Sequence, residues 1–236
     1  MSFISFTDVS RVYSSGFDVI KALDKVSFEI EKGKFTLIWG PSGSGKSTTL
    51  NILGGMDTAT SGTICVEGKN ISRFNSEQMT TYRRYDIGFV FQFYNLIPNL
   101  TAFENVDIAC KLSKNPIKAD DALEAVGLSH RKKNFPAQLS GGELQRVSIA
   151  RALCKNPKII LCDEPTGALD SETGKNIFSL LQNMADQFQS AVVVVTHNAL
   201  FGPAADRIIK LKDCRIQDIV DNPFRSPVGS LTDYAN

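Results

Sequence analysis

The stretch 40–48, GPSGSGKST, sets Gly40, Gly43 and Gly45 among Ser42, Ser44, Lys46, Ser47 and Thr48. Its spacing, Gly40-x-x-x-x-Gly45-Lys46-Ser47, suits a phosphate cradle. Glycines let consecutive backbone N–H groups and a helix N-terminus face phosphate oxygens, while Lys46 neutralises charge and the Ser47 hydroxyl can ligate a hard divalent cation. A phosphate-bound cation also needs a carboxylate at a neighbouring strand end, and IILCDEP (159–165) offers Asp163 with Glu164 beside it. Asp163 is expected to hold Mg²⁺ and Glu164 to accept a proton from an attacking water.

A second glycine pair lies far downstream in LSGGELQR (139–146). Ser140 and Glu143 form an S-x-x-E capping box, so a helix is expected to start here, its N–H groups left open by Gly141 and Gly142. Such an end attracts anions. One triphosphate cannot easily occupy two helix ends carried on different parts of a chain. The simplest arrangement is a head-to-tail pair of copies, in which Ser140 and Gly142 of one grip the ATP held by Lys46 of the other.

The surrounding pattern must position these groups. KFTLIWG (34–40) reads as a strand running into the glycines, and KSTTLNILGG as the helix after them. The runs 87–92, 159–165 and 191–197 are continuously apolar, as for parallel strands covered on both faces, and each ends in polar residues. Segments 3–13, 25–30 and 61–68 predict a small antiparallel layer. The pattern between Gln92 and Pro157 is helical. The expected fold is therefore α/β, a phosphate-loop core with a mostly parallel sheet, a small antiparallel β subdomain and an inserted helical subdomain. Boundaries fall at 1–92 and 156–220 for the core and 93–155 for the helices, with a loosely held tail at 221–236.

Composition sets limits. The chain has 236 residues, 42% of them hydrophobic and 22% charged, with net charge +1, so no whole-domain field favours nucleic acid. Its five cysteines (Cys65, Cys110, Cys154, Cys162, Cys214) show no paired spacing, which fits a reducing compartment and neither a disulfide framework nor a zinc site. The longest apolar run is too short to span a bilayer, so a membrane role requires a partner. His130, in SHRKKN, reads as part of a solvated face.

The order GPSGSGKST, Gln92, LSGGELQR, IILCDEPTGALD, His197 resembles the ATP-binding cassette of ABC transporters over roughly residues 3–218. The resemblance implies further roles. Tyr13 would stack on adenine; Gln92 would reach Mg²⁺ and the attacking water while sensing a membrane partner; Asp170 would communicate between the two sites; His197 would contact the γ-phosphate. GPSGSGKSTTLNILGGMD, IGFVFQFYNLIPNLTAFENV and DEPTGALD look like the branch of lipoprotein-releasing, macrolide-exporting and antimicrobial-peptide transporters. That branch implies an ATPase in the cytoplasm, peripheral on the inner face of the cell membrane. Its partners would be a second copy of itself and a permease whose coupling helix enters a cleft near Gln92. Phe93, Tyr94, Leu96, Ile97, Leu100 and Phe103 are candidates to line that cleft or, equally, to pack a core. A soluble cassette protein or a signalling module without transport would share these motifs. Cys162 stands where a small residue is usual, Ala59 where proline is, and Cys214 where glycine often closes a hairpin, which removes that turn's strongest signal.

Overall fold

A computed structural model describes residues 2–15 and 18–231. A four-stranded antiparallel sheet, order β2-β1-β4-β5, is built from β1 (Ile4–Ser15), β2 (Asp18–Ile30), β4 (Ser61–Val66) and β5 (Lys69–Asn70). The second sheet has six strands in the order β10-β9-β3-β8-β7-β6: β3 (Phe35–Trp39), β6 (Ile87–Val90), β7 (Ile159–Asp163), β8 (Ala191–Thr196), β9 (Arg207–Lys212) and β10 (Arg215–Asp221). All its pairings are parallel except that of edge strand β10.

The helices are α1 (Lys46–Leu53), α2 (Ser76–Tyr85), α3 (Ala102–Cys110), α4 (Ala119–Ala125), α5 (Gly141–Leu153) and α6 (Ser171–Phe188). Helices α3 to α5 fall between β6 and β7, where the sequence predicts helices alone. The apolar strand runs have a physical reason. Leu37, Ile160, Cys162, Val192 and Val194 pack into one core with α3 to α6, while Ile38, Leu161, Val193 and Val195 pack into another with the antiparallel sheet and α1. Burial on both faces leaves no room for alternation; each such side chain contributes about 1.5–3 kcal/mol of burial energy.

One expectation needs correction. The segment after β10 is fastened, not loose, as far as Leu231. Asn222 donates to the carbonyls of Gly202 and Ala205, Arg225 pairs with Asp206 and Asp186, Gln182 donates to the Ser226 carbonyl at 3.1 Å, and Val228 is buried. The rest of the expected tail, 232–236, lies outside the described residues. The β9–β10 hairpin closes without glycine: Asp213 and Cys214 adopt φ of 50° and 63°, and Asp24 N–H donates to the Cys214 carbonyl at 2.8 Å. Among the described residues, no helix is long and apolar enough to cross a membrane.

Candidate functional site

The strand order β3-β8-β7-β6 sets four carboxyl ends side by side, so the loops at Gly40, His197, Glu164 and Gln92 emerge together. This is the edge of an open α/β sheet where ligands bind. The loop after β3 turns through Gly45 at φ 95°, where a Cβ would fall 2.5 Å from the Ala22 carbonyl oxygen. Glycine is required there on both counts. Lys46, 7% exposed, opens α1 and donates from Nζ to the carbonyls of Gly40 and Pro41, each at 2.9 Å. Its ammonium is thus held over the loop.

Strand β7 delivers the acidic pair. Asp163 Oδ1 accepts from the Ser47 hydroxyl at 3.0 Å. Burial raises the Asp163 carboxyl above its ordinary value; the Ser47 hydrogen bond opposes this and the neighbouring Glu164 charge adds to it. Glu164 adopts φ 44°, with its N–H donating to the Val195 carbonyl at 3.0 Å. The chain bends sharply there, and the Glu164 carboxylate lies 3.1 Å from His197 Nδ1. Trp39 Nε1 donates to the His197 carbonyl at 3.0 Å, tying the end of β3 to that of β8.

Ser42, Gly43, Gly45, Lys46, Ser47, Thr48, Gln92, Glu164 and His197 line one cavity of about 520 Å³. Gly40 and Asp163 join it through Lys46 and Ser47; Ser44 is buried within the loop, its hydroxyl without a partner among the described residues. Ser47, Asp163 and Gln92 present hard oxygen donors, and so few fit a small divalent cation that keeps waters and takes its remaining ligands from phosphate. Ile20, Lys21, Ala22 and Cys214 also line the cavity, though no motif marks them. Ile20 pairs directly with Tyr13 across β1 and β2, a neighbour that only the register reveals.

Tyr13 itself does not line that cavity. It is 40% exposed, donates to Asp57 Oδ2 at 2.6 Å, and carries the Arg11 guanidinium 4.3 Å from its ring centroid. Ser140, Gly141, Gly142 and Asp170 also lie outside it. Asp170 caps α6 by accepting from Thr173 N–H at 2.9 Å. Ser140 caps α5 in the expected box, Ser140 N–H donating to Glu143 and Glu143 N–H to Ser140. The glycines have a reason that the sequence did not reveal: a Cβ on Gly142 would sit 2.5 Å from Thr173 Cγ2, and one on Gly141 3.1 Å from the Tyr94 hydroxyl.

The loop after Gln92 is clamped from the helical side. Arg151 of α5 donates to the carbonyls of Tyr94 and Asn95, both at positive φ, and buried Asn105 of α3 bonds Ile97 and Leu100. The six apolar candidates divide: Phe93 and Ile97 are exposed at 72% and 43%, while Leu96 and Phe103 pack against the core. Cys162 is fully buried, which pushes its thiol up and leaves it inert. His130 is exposed, as on a solvated face.

The ABC transporter family matches residues 23–167 of the chain. The chain belongs to that family. As a member, it is a nucleotide-binding, ATP-hydrolysing cassette. It is 42% identical over 226 residues to the lipoprotein-releasing system ATP-binding protein LolD of Shewanella frigidimarina, covering 94% of this chain and 93% of that one. To the macrolide export ATP-binding/permease protein MacB of Mannheimia succiniciproducens it is 41% identical over 233 residues, 97% of this chain. The chain spans 36% of that protein's length and 50% of another relative, from Mycoplasma pneumoniae. The ATP-binding cassette MJ0796, a protein of Methanocaldococcus jannaschii, has been solved as a dimer in a post-hydrolysis state bound to ADP and Pi. It matches this fold with a TM-score of 0.84 at 40% identity, covering 92% of this chain and 98% of that one.

Proposed function

We propose that two copies of this cassette close head to tail around two Mg–ATP, and that closure and reopening drive separate membrane subunits to export or extract a substrate. One observation carries the reading. A capped, glycine-opened helix start at Ser140–Gly142 lies outside the cavity in which the same chain assembles Lys46, Glu164 and His197. A second copy brings the two halves together, and the dimeric MJ0796 cassette with ADP and Pi is a precedent in a relative.

In this reading Glu164 takes a proton from a water attacking the γ-phosphorus in line, and ADP leaves. His197 holds the Glu164 carboxylate and faces the γ-phosphate; Gln92 orients the water; Lys46 and the loop amides offset phosphate charge. Ser47, Asp163 and Gln92 would hold Mg²⁺, which when bound neutralises the β- and γ-oxygens. Tyr13 offers its ring to adenine, and Asp170 links the two sites. In this reading a permease coupling helix docks at Phe93 and Ile97, whose exposure supports that contact, and the cassette works in the cytoplasm against the inner face of the cell membrane. Residues 1–92 and 156–220 then form the core that holds the nucleotide, and 93–155 form the helical part that carries both Ser140–Gly142 and that contact.

Glu164→Gln keeps the size and shape of the side chain and removes the base. ATP binding should persist, hydrolysis should fall about 10²–10⁴-fold, and an ATP-dependent dimer should accumulate. Normal turnover in this variant removes Glu164 as base, and a monomer at saturating ATP removes the paired site. Lys46→Ala is the control, with nucleotide binding or turnover severely weakened.

A further inference from the structure

The helix start offered to phosphate carries its own negative charge. Glu143 stands in the first turn of α5, and its Oε2 accepts the Ser140 N–H at 2.8 Å. An ionised carboxylate there serves the cap but repels the anion that the same N–H groups would receive. The structure answers with a cation from another segment. Arg131 Nε donates to the other carboxylate oxygen, Oε1, at 2.9 Å, and the Glu143 side chain is 13% exposed. Screening by water is therefore limited on the glutamate side of the pair.

The arginine is not placed by chance contact of a floppy chain. It ends a short 3-10 turn, Ser129–Arg131, with its own N–H on the Leu128 carbonyl and its carbonyl accepting from Asn134. The segment is then tied to the start of α3, because Ala102 N–H donates to Asn134 and Phe103 N–H to Lys132. Arg146, the next cation on α5, makes no ion pair with Glu143 among the described residues. Glutamine at 143 could still accept the Ser140 N–H, so the capping geometry does not itself require the charge or the arginine.

We infer that Arg131 is a positioning residue for nucleotide-driven pairing: by holding and neutralising the Glu143 carboxylate, it keeps the start of α5 receptive to the γ-phosphate presented by the other copy. This rests on the paired-site reading above. The relation between the two residues is conditional. Arg131 matters because Glu143 is charged, and loses that importance when Glu143 is not.

The test uses the full chain in a Glu164→Gln background, with dimer formation followed by light scattering across ATP concentrations. Arg131→Gln should raise the ATP needed for half-maximal dimer about three- to tenfold, and added salt should shrink the defect. Adding Glu143→Gln to Arg131→Gln should restore the midpoint to about the parent value, a rescue that a fold-supporting role for Arg131 would not show. ATP binding to the dilute protomer, read from Trp39 fluorescence, should be the same in all variants and reports that each is folded. A parent midpoint in Arg131→Gln, or a defect that Glu143→Gln leaves in place, overturns the inference while leaving the paired site standing. Absence of an ATP-dependent dimer in the parent itself overturns both.

Discussion

Gly142→Ala separates two reasons for one glycine. A Cβ at this position would lie 2.5 Å from Thr173 Cγ2, with the next atoms at 3.8 and 3.9 Å. One methyl meets one methyl at about 1 Å less than a normal carbon contact of roughly 3.5 Å. Overpacking of this kind costs about 1–3 kcal/mol, against which alanine in a helix recovers at most about 1 kcal/mol. The net loss should be up to about 2 kcal/mol, or a melting temperature lower by up to about 8 °C for a domain of this size. Thr173→Ser removes the obstructing Cγ2, so the double variant should melt close to the parent. ATPase activity should not return with stability, because the new methyl still stands beside the N–H groups proposed to receive phosphate. Thermal unfolding and steady-state hydrolysis are measured on the parent, both single variants and the double. If Thr173→Ser fails to restore the melting temperature, the packing account of Gly142 is wrong. If activity recovers in full with stability, packing alone explains the residue and the phosphate role assigned to it falls.

Two further results follow from burial and charge. Cys110, Cys154 and Cys162 are buried while Cys65 and Cys214 are partly exposed, so a thiol reagent should label the latter two in the native protein; because Cys214 lines the cavity, ATP should slow its labelling and leave Cys65 unaffected, as read by peptide mass spectrometry. Glu143, Glu104 and Asp170 are each held below the ordinary carboxylate range, chiefly by backbone N–H groups at helix starts. A lowered folded-state value contributes stability above the unfolded value and loses it as pH falls through the folded one, so the urea midpoint should drop below about pH 4.5, and Glu104→Gln with Glu143→Gln should flatten that fall. Half-buried Asp163, raised instead, acts in the opposite direction and is left in place by these substitutions. An unchanged acid profile in the double variant would remove the caps from the explanation.

The parts legible in the sequence were those with local signatures. The strand runs at 159–163 and 191–196 could be read because burial on both faces leaves them apolar without alternation. Ser140 and Glu143 announced a helix start, and the spacing from Gly40 to Ser47 announced a phosphate loop, since both depend on residues a few positions apart. What stayed hidden depends on contacts between distant segments. Ile20 reaches the cavity through its pairing with Tyr13, Cys214 through a hairpin closed by two non-glycine residues at positive φ, and Arg131 finds Glu143 across a loop. The polar, turn-rich 222–231 read as loose, yet Arg225 meets two aspartates that are remote in sequence and Val228 finds a place in the core.

The central claim is that each active site is completed by another copy of the chain. Hydrolysis per protomer, measured at saturating Mg–ATP over a serial dilution of the protein, tests it most directly. A site shared between copies predicts a specific activity that falls toward zero as dilution separates them. A specific activity constant across the whole dilution range, with the protein shown to be monomeric at its low end, would contradict it.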